Sequence, residues 1–212
     1  GAECTAVEEK HRNGDVFRNK EKHFFILTPK YNIPTIGRGE FVGLLTKKYK
    51  ESICVAGTHG KTTTTSMISI CFVEAQKDPT VQVGAILKNI GGNYVIGNSK
   101  YFILESCEYK GNFLKFFPHT EIILNIDNDH LDYYKTFDNV IKTFQDFAKI
   151  LPADGLLVTN GDDKNCLDLP QYTKAKILTY GINNTNVNDG NTYTFAKHSG
   201  GAIYIKTGNS KT

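Results

Sequence analysis

Four apolar residues, Ile53-Cys54-Val55-Ala56, run directly into Gly57-Thr58-His59-Gly60-Lys61-Thr62, and a stretch of helical length from Thr63 to Ala75 follows. A short continuous apolar run is the mark of a strand buried on both faces, and the set Met67, Ile70, Cys71 and Ala75 recurs at helical spacing. The order strand, glycine loop, helix commits this region to an α/β arrangement. Such a loop aims successive backbone N–H groups and a helix N-terminus at one point, which is the geometry that holds an anion. Lys61 then adds a positive charge for outer phosphates, and the Thr62 hydroxyl suits the magnesium ion that accompanies ATP. The generic pattern G-x-x-x-x-G-K-[ST] is not met, because Val55 occupies the place of its first glycine. On the residues alone, nucleotide binding and a Gly-Lys-Thr that only caps a helix both stay open.

The rest of the chain extends the same architecture. Tyr101-Phe102-Ile103-Leu104 and Ile122-Ile123-Leu124-Asn125-Ile126 are further apolar runs, each ending in acidic or amide residues. Between Thr136 and Leu151, Phe137, Val140, Ile141, Phe144, Phe147, Ala148 and Leu151 recur at three and four, which reads as an amphipathic helix closed by Pro152 and followed by a strand at Leu156-Leu157-Val158. Strands alternating with helices predict a mostly parallel sheet flanked by helices. Tyr193 to Phe195 and Ile203 to Ile205 alternate around Ser199-Gly200-Gly201, so a small antiparallel hairpin is expected near the C-terminus. Before residue 50 the pattern is weaker, with a short strand expected at Phe24-Phe25-Ile26-Leu27.

Composition narrows the function classes. Twenty-five basic against twenty-two acidic side chains leave a net charge of +3, too little to argue for nucleic acid or an anionic membrane. Cys4, Cys54, Cys71, Cys107 and Cys166 are odd in number, widely spaced and without a CxxC, a poor framework for disulfides or zinc. No apolar stretch approaches the roughly 18 residues needed to cross a bilayer, so a cytoplasmic protein is expected. The chain lacks an initial methionine and closes on a polar stretch, which reads as part of a longer protein.

Three motifs carry a resemblance to a known family. Ala56-Gly57-Thr58-His59-Gly60-Lys61-Thr62-Thr63-Thr64-Thr65 resembles the ATP loop of the Mur ligases, the ATP-dependent amide ligases of peptidoglycan synthesis. Asn125-Ile126-Asp127-Asn128-Asp129-His130-Leu131-Asp132 is similar to the family's Asn-[Ile/Val]-x-x-Asp-His-[Leu/Met]-Asp segment, and Glu105-Ser106-Cys107-Glu108 sits where the family has a Glu-Ala-Asp-Glu-like stretch. Arg38-Gly39-Glu40 resembles the close of the family's UDP-binding domain. The likeness covers residues 35 to 165 well and the ends weakly.

The resemblance implies a P-loop-type α/β domain at 51–212, preceded at 1–50 by the tail of a UDP-sugar domain and lacking the amino-acid-binding domain that should follow. It implies nucleotide contacts from Gly57, Thr58, His59, Gly60, Lys61, Thr62 and Thr63. Catalytic roles fall on Lys61, Glu105 and His130, with magnesium held by Thr62, Glu105 and His130. A histidine is an unusual magnesium ligand on general chemistry, so that assignment rests on the family. The Thr58-His59 pair resembles the branch that joins L-alanine to UDP-N-acetylmuramate through an acyl phosphate; the peptide ligases of cell-wall recycling share it. This chain alone is expected to be inactive.

Other features read more plainly. Glu108 reads as a solvated residue past a strand end, Gly91-Gly92-Asn93 as a turn, and the cysteines as buried or incidental thiols. The family's Glu-Ala-Asp-Glu-Ser-Asp is here Glu105-Ser106-Cys107-Glu108-Tyr109-Lys110, so acidic side chains are missing from it. Gln145 stands where several members carry a carbamylated lysine. These departures keep open a nucleotide-binding module that has lost catalysis. A generic P-loop hydrolase is a third reading, disfavoured by the short loop and the Asp129-His130 segment.

Overall fold

Alternate residues of the two most apolar strands point to opposite faces of a single sheet, and a helix covers each face. In the computed structural model, residues 36–181 and the strands Thr192–Lys197 and Ile203–Thr207 are described. The strand expected at Phe24–Leu27 and the glycine turn at 199–201 lie outside these residues. The chain divides into one unit at 1–37 and a second at 38–212, and every helix and strand described here belongs to the second.

That unit begins with helix α1 (Arg38–Thr46). Strand β1 (Glu51–Ala56) leads through the glycine loop into α2 (Lys61–Glu74), then come β2 (Thr80–Leu87) and β3 (Gly92–Val95). After β4 (Tyr101–Glu105), a 3₁₀ segment at Tyr109–Lys115 precedes β5 (Thr120–Ile123), the short α3 (Leu131–Tyr134) and α4 (Phe137–Ala148). The chain closes with β6 (Leu156–Asn160), β7 (Lys176–Gly181), β8 (Thr192–Lys197) and β9 (Ile203–Thr207). Among the described residues the strands form one sheet in the order β3-β2-β4-β1-β5-β6-β7-β8-β9. Every pairing is parallel except β2 with β3 and β8 with β9, so the mostly parallel sheet and the C-terminal hairpin are as expected.

One face of β1 and β4 presents Ile53 and Ile103, which pack with Val81, Val83 and the α2 residues Ile68 and Phe72. The other presents Cys54, Ala56, Phe102 and Leu104, which join Phe113, Phe144 and Phe147 beneath α4. Phe113 stacks on Phe147 at 4.2 Å between ring centroids and meets Phe144 edge-on. Helix α4 follows its apolar period closely, and the Thr136 hydroxyl caps it by accepting the Asn139 N–H at 3.3 Å.

Helix α2 departs from its sequence pattern. Met67 is 63% exposed and Cys71 is exposed, whereas Thr65 and Ser69 are buried against the sheet. Their hydroxyls donate to carbonyls one turn back, Thr65 to Lys61 O and Ser69 to Thr65 O, both at 2.7 Å. A hydroxyl satisfied within its own helix loses most of its burial cost. Small side chains there also let α2 lie close to the strands, with Ile68 and Phe72 filling the space beside them.

Strand β5 also differs from expectation. Its ladder covers Thr120 to Ile123 and stops before Leu124, so Leu124-Asn125-Ile126 lies outside the sheet proper. Within β5, Glu121 is fully buried, beside Cys54 in register, and neither carboxylate oxygen has a hydrogen-bond partner. Burial pushes its carboxyl well above the usual 4.5. The folded chain therefore keeps a proton at pH values where the unfolded chain has released it, so the contribution of Glu121 to stability is fully present below about 4.5 and is lost as pH rises from there towards the folded value. The slope is about 1.4 kcal/mol per pH unit in that window. Denaturant titrations at acid and neutral pH should show this loss in the parent chain and its removal in Glu121→Gln; equal pH slopes for the two would refute a buried neutral carboxyl.

Candidate functional site

The three motifs read from the sequence end the adjacent strands β4, β1 and β5, and ligands of open parallel sheets bind at such carboxyl ends. Gly57 leaves β1 with φ of 140°, a conformation L side chains rarely adopt. A Cβ there would lie 3.0 Å from Leu124 Cβ and 3.2 Å from Asn125 N, so a side chain would have to push the β5 exit back by a few tenths of an ångström. Gly60, also left-handed, starts α2 with no side-chain cap, leaving the first-turn N–H groups open at the loop.

The loop is stitched to the Asn125 segment residue by residue. Thr58 N–H donates to Asn125 O at 3.1 Å, and Asp127 N–H donates to the Thr58 hydroxyl at 2.8 Å. The Asn125 side chain accepts the His59 N–H at 2.8 Å and donates to His59 O at 3.0 Å, imitating a strand partner. The imidazole of His59 is exposed, 3.5 Å from Asp127. Asp127 is held below the usual carboxylate range first by the Asn128 N–H and then by His59.

Lys61 bends back over the loop. Its ammonium donates to Gly57 O at 2.5 Å, to Thr58 O at 3.1 Å and to Glu108, whose nearer oxygen is 3.0 Å away. Glu108 is only 2% exposed, which corrects its reading as a solvated strand-end residue. The 3₁₀ segment after β4 folds it inward: Gly111 N–H and the Tyr134 hydroxyl both donate to Glu108 O. Removing one partner of such a buried pair costs about 3–5 kcal/mol, because the remaining charge is left without compensation.

Thr62 and Glu105 come together as expected. The Thr62 hydroxyl donates to Glu105 Oε1 at 2.9 Å, and Gly84 N–H of β2 donates to Oε2 at 2.7 Å. Thr63 is exposed on the first turn of α2. His130 sits elsewhere: its Nε2 lies 3.6 Å from Glu108 Oε1 and 3.8 Å from Asp129, and Glu108, Asp129 and His130 form a group whose ligand atoms lie within 4.8 Å of one another. Among the described residues His130 therefore partners Glu108, where the resemblance paired it with Glu105. His130 starts α3 with φ of 55°, fixed by the Asp129 carboxylate accepting its N–H at 2.7 Å and by the Tyr109 ring 4.8 Å away.

Other expectations resolve simply. Of the turn expected at Gly91-Gly92-Asn93, only Gly91 lies in the connection, closing the 3₁₀ turn Lys88–Ile90 with a left-handed φ, whereas Gly92 and Asn93 begin β3. Gln145 is partly buried in α4. Cys54 and Cys166 are buried free thiols and Cys107 is half-buried, with burial pushing Cys166 up to about 12. Glu108 and Asn125 are the residues of the candidate site whose contacts the residue-by-residue reading undervalued. The signal for Glu108 was its place in the Glu-x-x-Glu stretch, and for Asn125 its place at the end of an apolar run.

Comparison with known proteins decides the family. Residues 55–211 match the model of the Mur ligase middle domain. The chain belongs to the Mur ligase family. It is 49% identical over 156 residues to the UDP-N-acetylmuramate--L-alanine ligase of Clostridium novyi (strain NT), a match covering 74% of this chain and 34% of that protein. The chain thus spans about a third of the length of the curated relatives it matches. Among solved structures, the UDP-N-acetylmuramate-alanine ligase of Thermotoga maritima aligns with a TM-score of 0.66 at 28% identity, over 81% of this chain and 37% of that one. A UDP-N-acetylmuramate:L-alanyl-gamma-D-glutamyl-meso-diaminopimelate ligase from Neisseria meningitides shares the fold, with a TM-score of 0.74 at 20% identity over 86% of this chain and 60% of that one. Among the described residues, no helix is long and apolar enough to cross a membrane.

The Glu105 carboxylate depends on the absence of a side chain opposite it. A Cβ on Gly84 would lie 2.7 Å from Glu105 Oε2. With magnesium at Thr62 and Glu105, as the resemblance implies, Gly84→Ala should displace that carboxylate from Thr62 and weaken magnesium-supported binding of a nucleotide analogue by on the order of tenfold. Titration of a nucleotide analogue with and without magnesium measures this, and an unchanged magnesium dependence would refute the role of Gly84.

Proposed function

We propose that this chain is the ATP-binding core of an ADP-forming amide ligase that joins L-alanine to UDP-N-acetylmuramate. The observation that carries the reading is the Thr62–Glu105 pair at the first turn of α2, beside Lys61 and the open loop amides, in a chain 49% identical to relatives that bear this activity in their names. Nucleotide phosphates would lie against the loop from Gly57 to Thr63, with His59 at its outer edge. The donor set at Thr62 and Glu105 is all oxygen, which fits magnesium; Glu108, Asp129 and His130 offer a second cluster, in which Glu108 joins the histidine. Magnesium there would supply neutralisation of phosphate charge.

The chemical problem is repulsion. A carboxylate must approach a polyphosphate, and each pair of like charges 4 Å apart costs about 4 kcal/mol at an effective dielectric near 20. The Lys61 ammonium and the N-terminus of α2 offset this at the phosphates. The substrate carboxylate then forms a bond to the γ-phosphorus as the bond to the ADP oxygen breaks. The deprotonated alanine amine attacks the resulting acyl phosphate, forming the C–N bond as phosphate leaves. To reach a phosphate oxygen, the Lys61 ammonium would exchange one of its contacts with Gly57 O, Thr58 O and Glu108 for it.

A first test is calorimetric binding of a non-hydrolysable ATP analogue with magnesium, with and without UDP-N-acetylmuramate, to the full-length protein that carries this sequence. Coupled binding of the two is expected; analogue binding indifferent to the UDP-sugar would favour a nucleotide-binding module instead. Lys61→Ala should lower analogue affinity by on the order of 10- to 100-fold, the worth of one hydrogen bond to a charged group. Glu105→Ala and His130→Ala should each lower magnesium-dependent turnover, and unchanged rates in both would discard this site.

A further inference from the structure

Strand β5 leaves its ladder at Ile123, yet the residues after it hold the phosphate loop, so something else must fix them. On the side facing β6, main-chain pairing ends with Ile123 against Thr159. Side chains then take over. The Asn160 amide donates to Leu124 O at 3.1 Å. Ile126 N–H donates to Asp163 Oδ2 at 3.1 Å, and Asn165 Nδ2 donates to Ile126 O at 2.8 Å. Asp163 and Asn165 also lock each other, since the Asn165 N–H donates to Asp163 Oδ1 at 2.8 Å.

We propose that Asp163 and Asn165 are positioning residues for the phosphate loop and the Asp129-His130 segment, acting through the backbone of Ile126. They touch none of the residues assigned to substrate. One accepts and one donates, which is the pairing a strand residue would offer, and the buried Ile126 side chain anchors the same residue in the core. On the opposite side of this segment, Asn125 performs the same two-point capture on His59. The turn after β6 thus reaches the loop after β1 through one clamped strand exit, across two strand boundaries. Neither an aspartate with two acceptors nor an asparagine with one donor and one acceptor is interchangeable here: the first faces an N–H and the second must donate to a carbonyl.

This inference rests on the ligase reading for its kinetic consequence only; the clamp itself is judged by binding. In the full-length protein, Asn165→Asp sets a carboxylate against the Ile126 carbonyl, Asn165→Ala removes the donor without that repulsion, and Asp163→Asn leaves one acceptor, and an NH2 donor, where two N–H groups must be met. Lys164→Ala is the exposed reference. Binding of a non-hydrolysable ATP analogue with magnesium, hydrogen exchange at Ile126, denaturant midpoints and the split of kcat against KM are measured for each. Both Asn165 variants and Asp163→Asn should weaken analogue binding by on the order of tenfold, with faster exchange around Ile126, while Lys164→Ala stays within about twofold of the parent. Parent-like binding by both Asn165 variants would overturn the proposal. So would losses that follow the denaturant midpoint across the set, because a merely structural role predicts that relation. A parent protein that binds the analogue but ignores UDP-N-acetylmuramate would overturn the ligase reading, with the binding series still deciding the clamp.

Discussion

Backbone N–H and C=O groups keep their need for partners where a parallel sheet runs out, and the candidate site is built on how that need is met. The β5–β6 ladder ends at Ile123, while on the β1 side single main-chain bonds from Leu124 N–H to Ala56 O and from Thr58 N–H to Asn125 O carry the pairing on. Side chains of Thr58, Asn125, Asp163 and Asn165 stand in for the missing strand edges. The loop from Gly57 to Gly60 can therefore be open towards a ligand and still have a defined shape. Gly57 is the complement of this arrangement, since its φ of 140° disfavours a side chain and a Cβ there would crowd the strand exit to which the loop is stitched.

Charge is organised around the same frame. Glu108 is folded inward by the 3₁₀ segment after β4 and meets Lys61 from one side and His130 from the other. A buried carboxylate between two potential cations ties the glycine loop to the Asp129-His130 segment electrostatically, as Asn125 ties them through the backbone. Glu105, one turn away, is kept apart from this network by its bonds to Thr62 and Gly84. The result is two separate carboxylate positions at one sheet edge, each fixed by different neighbours.

Much of this was legible in the sequence where periodicity and burial agree. The apolar runs of β1 and β4, the α4 stripe from Phe137 to Ala148 and the alternation of β8 and β9 all follow simple packing rules, and the elements appear where those rules put them. What escaped were features set by partners remote in sequence. The inner face of α2 is lined by Thr65 and Ser69, which no hydrophobic template selects. Leu124-Asn125-Ile126 continues the apolar run of β5 past the end of its ladder with β6, and residue type alone cannot reveal that. Glu108 looks solvated until the turn after β4 buries it, and Asp163 and Asn165 lie in a polar turn with no local hint of what they grip.

The composition of α2 has a consequence for what gives the site its shape. A helix with hydroxyl residues on its inward face and Met67 and Cys71 outward has little reason to form as an isolated segment, since most helical stability in proteins comes from docking an apolar stripe. Its first turn carries Lys61 and Thr62. The first-turn geometry that places Lys61 and Thr62 is therefore a property of the docked helix, lent to it by the sheet beneath rather than by its own sequence.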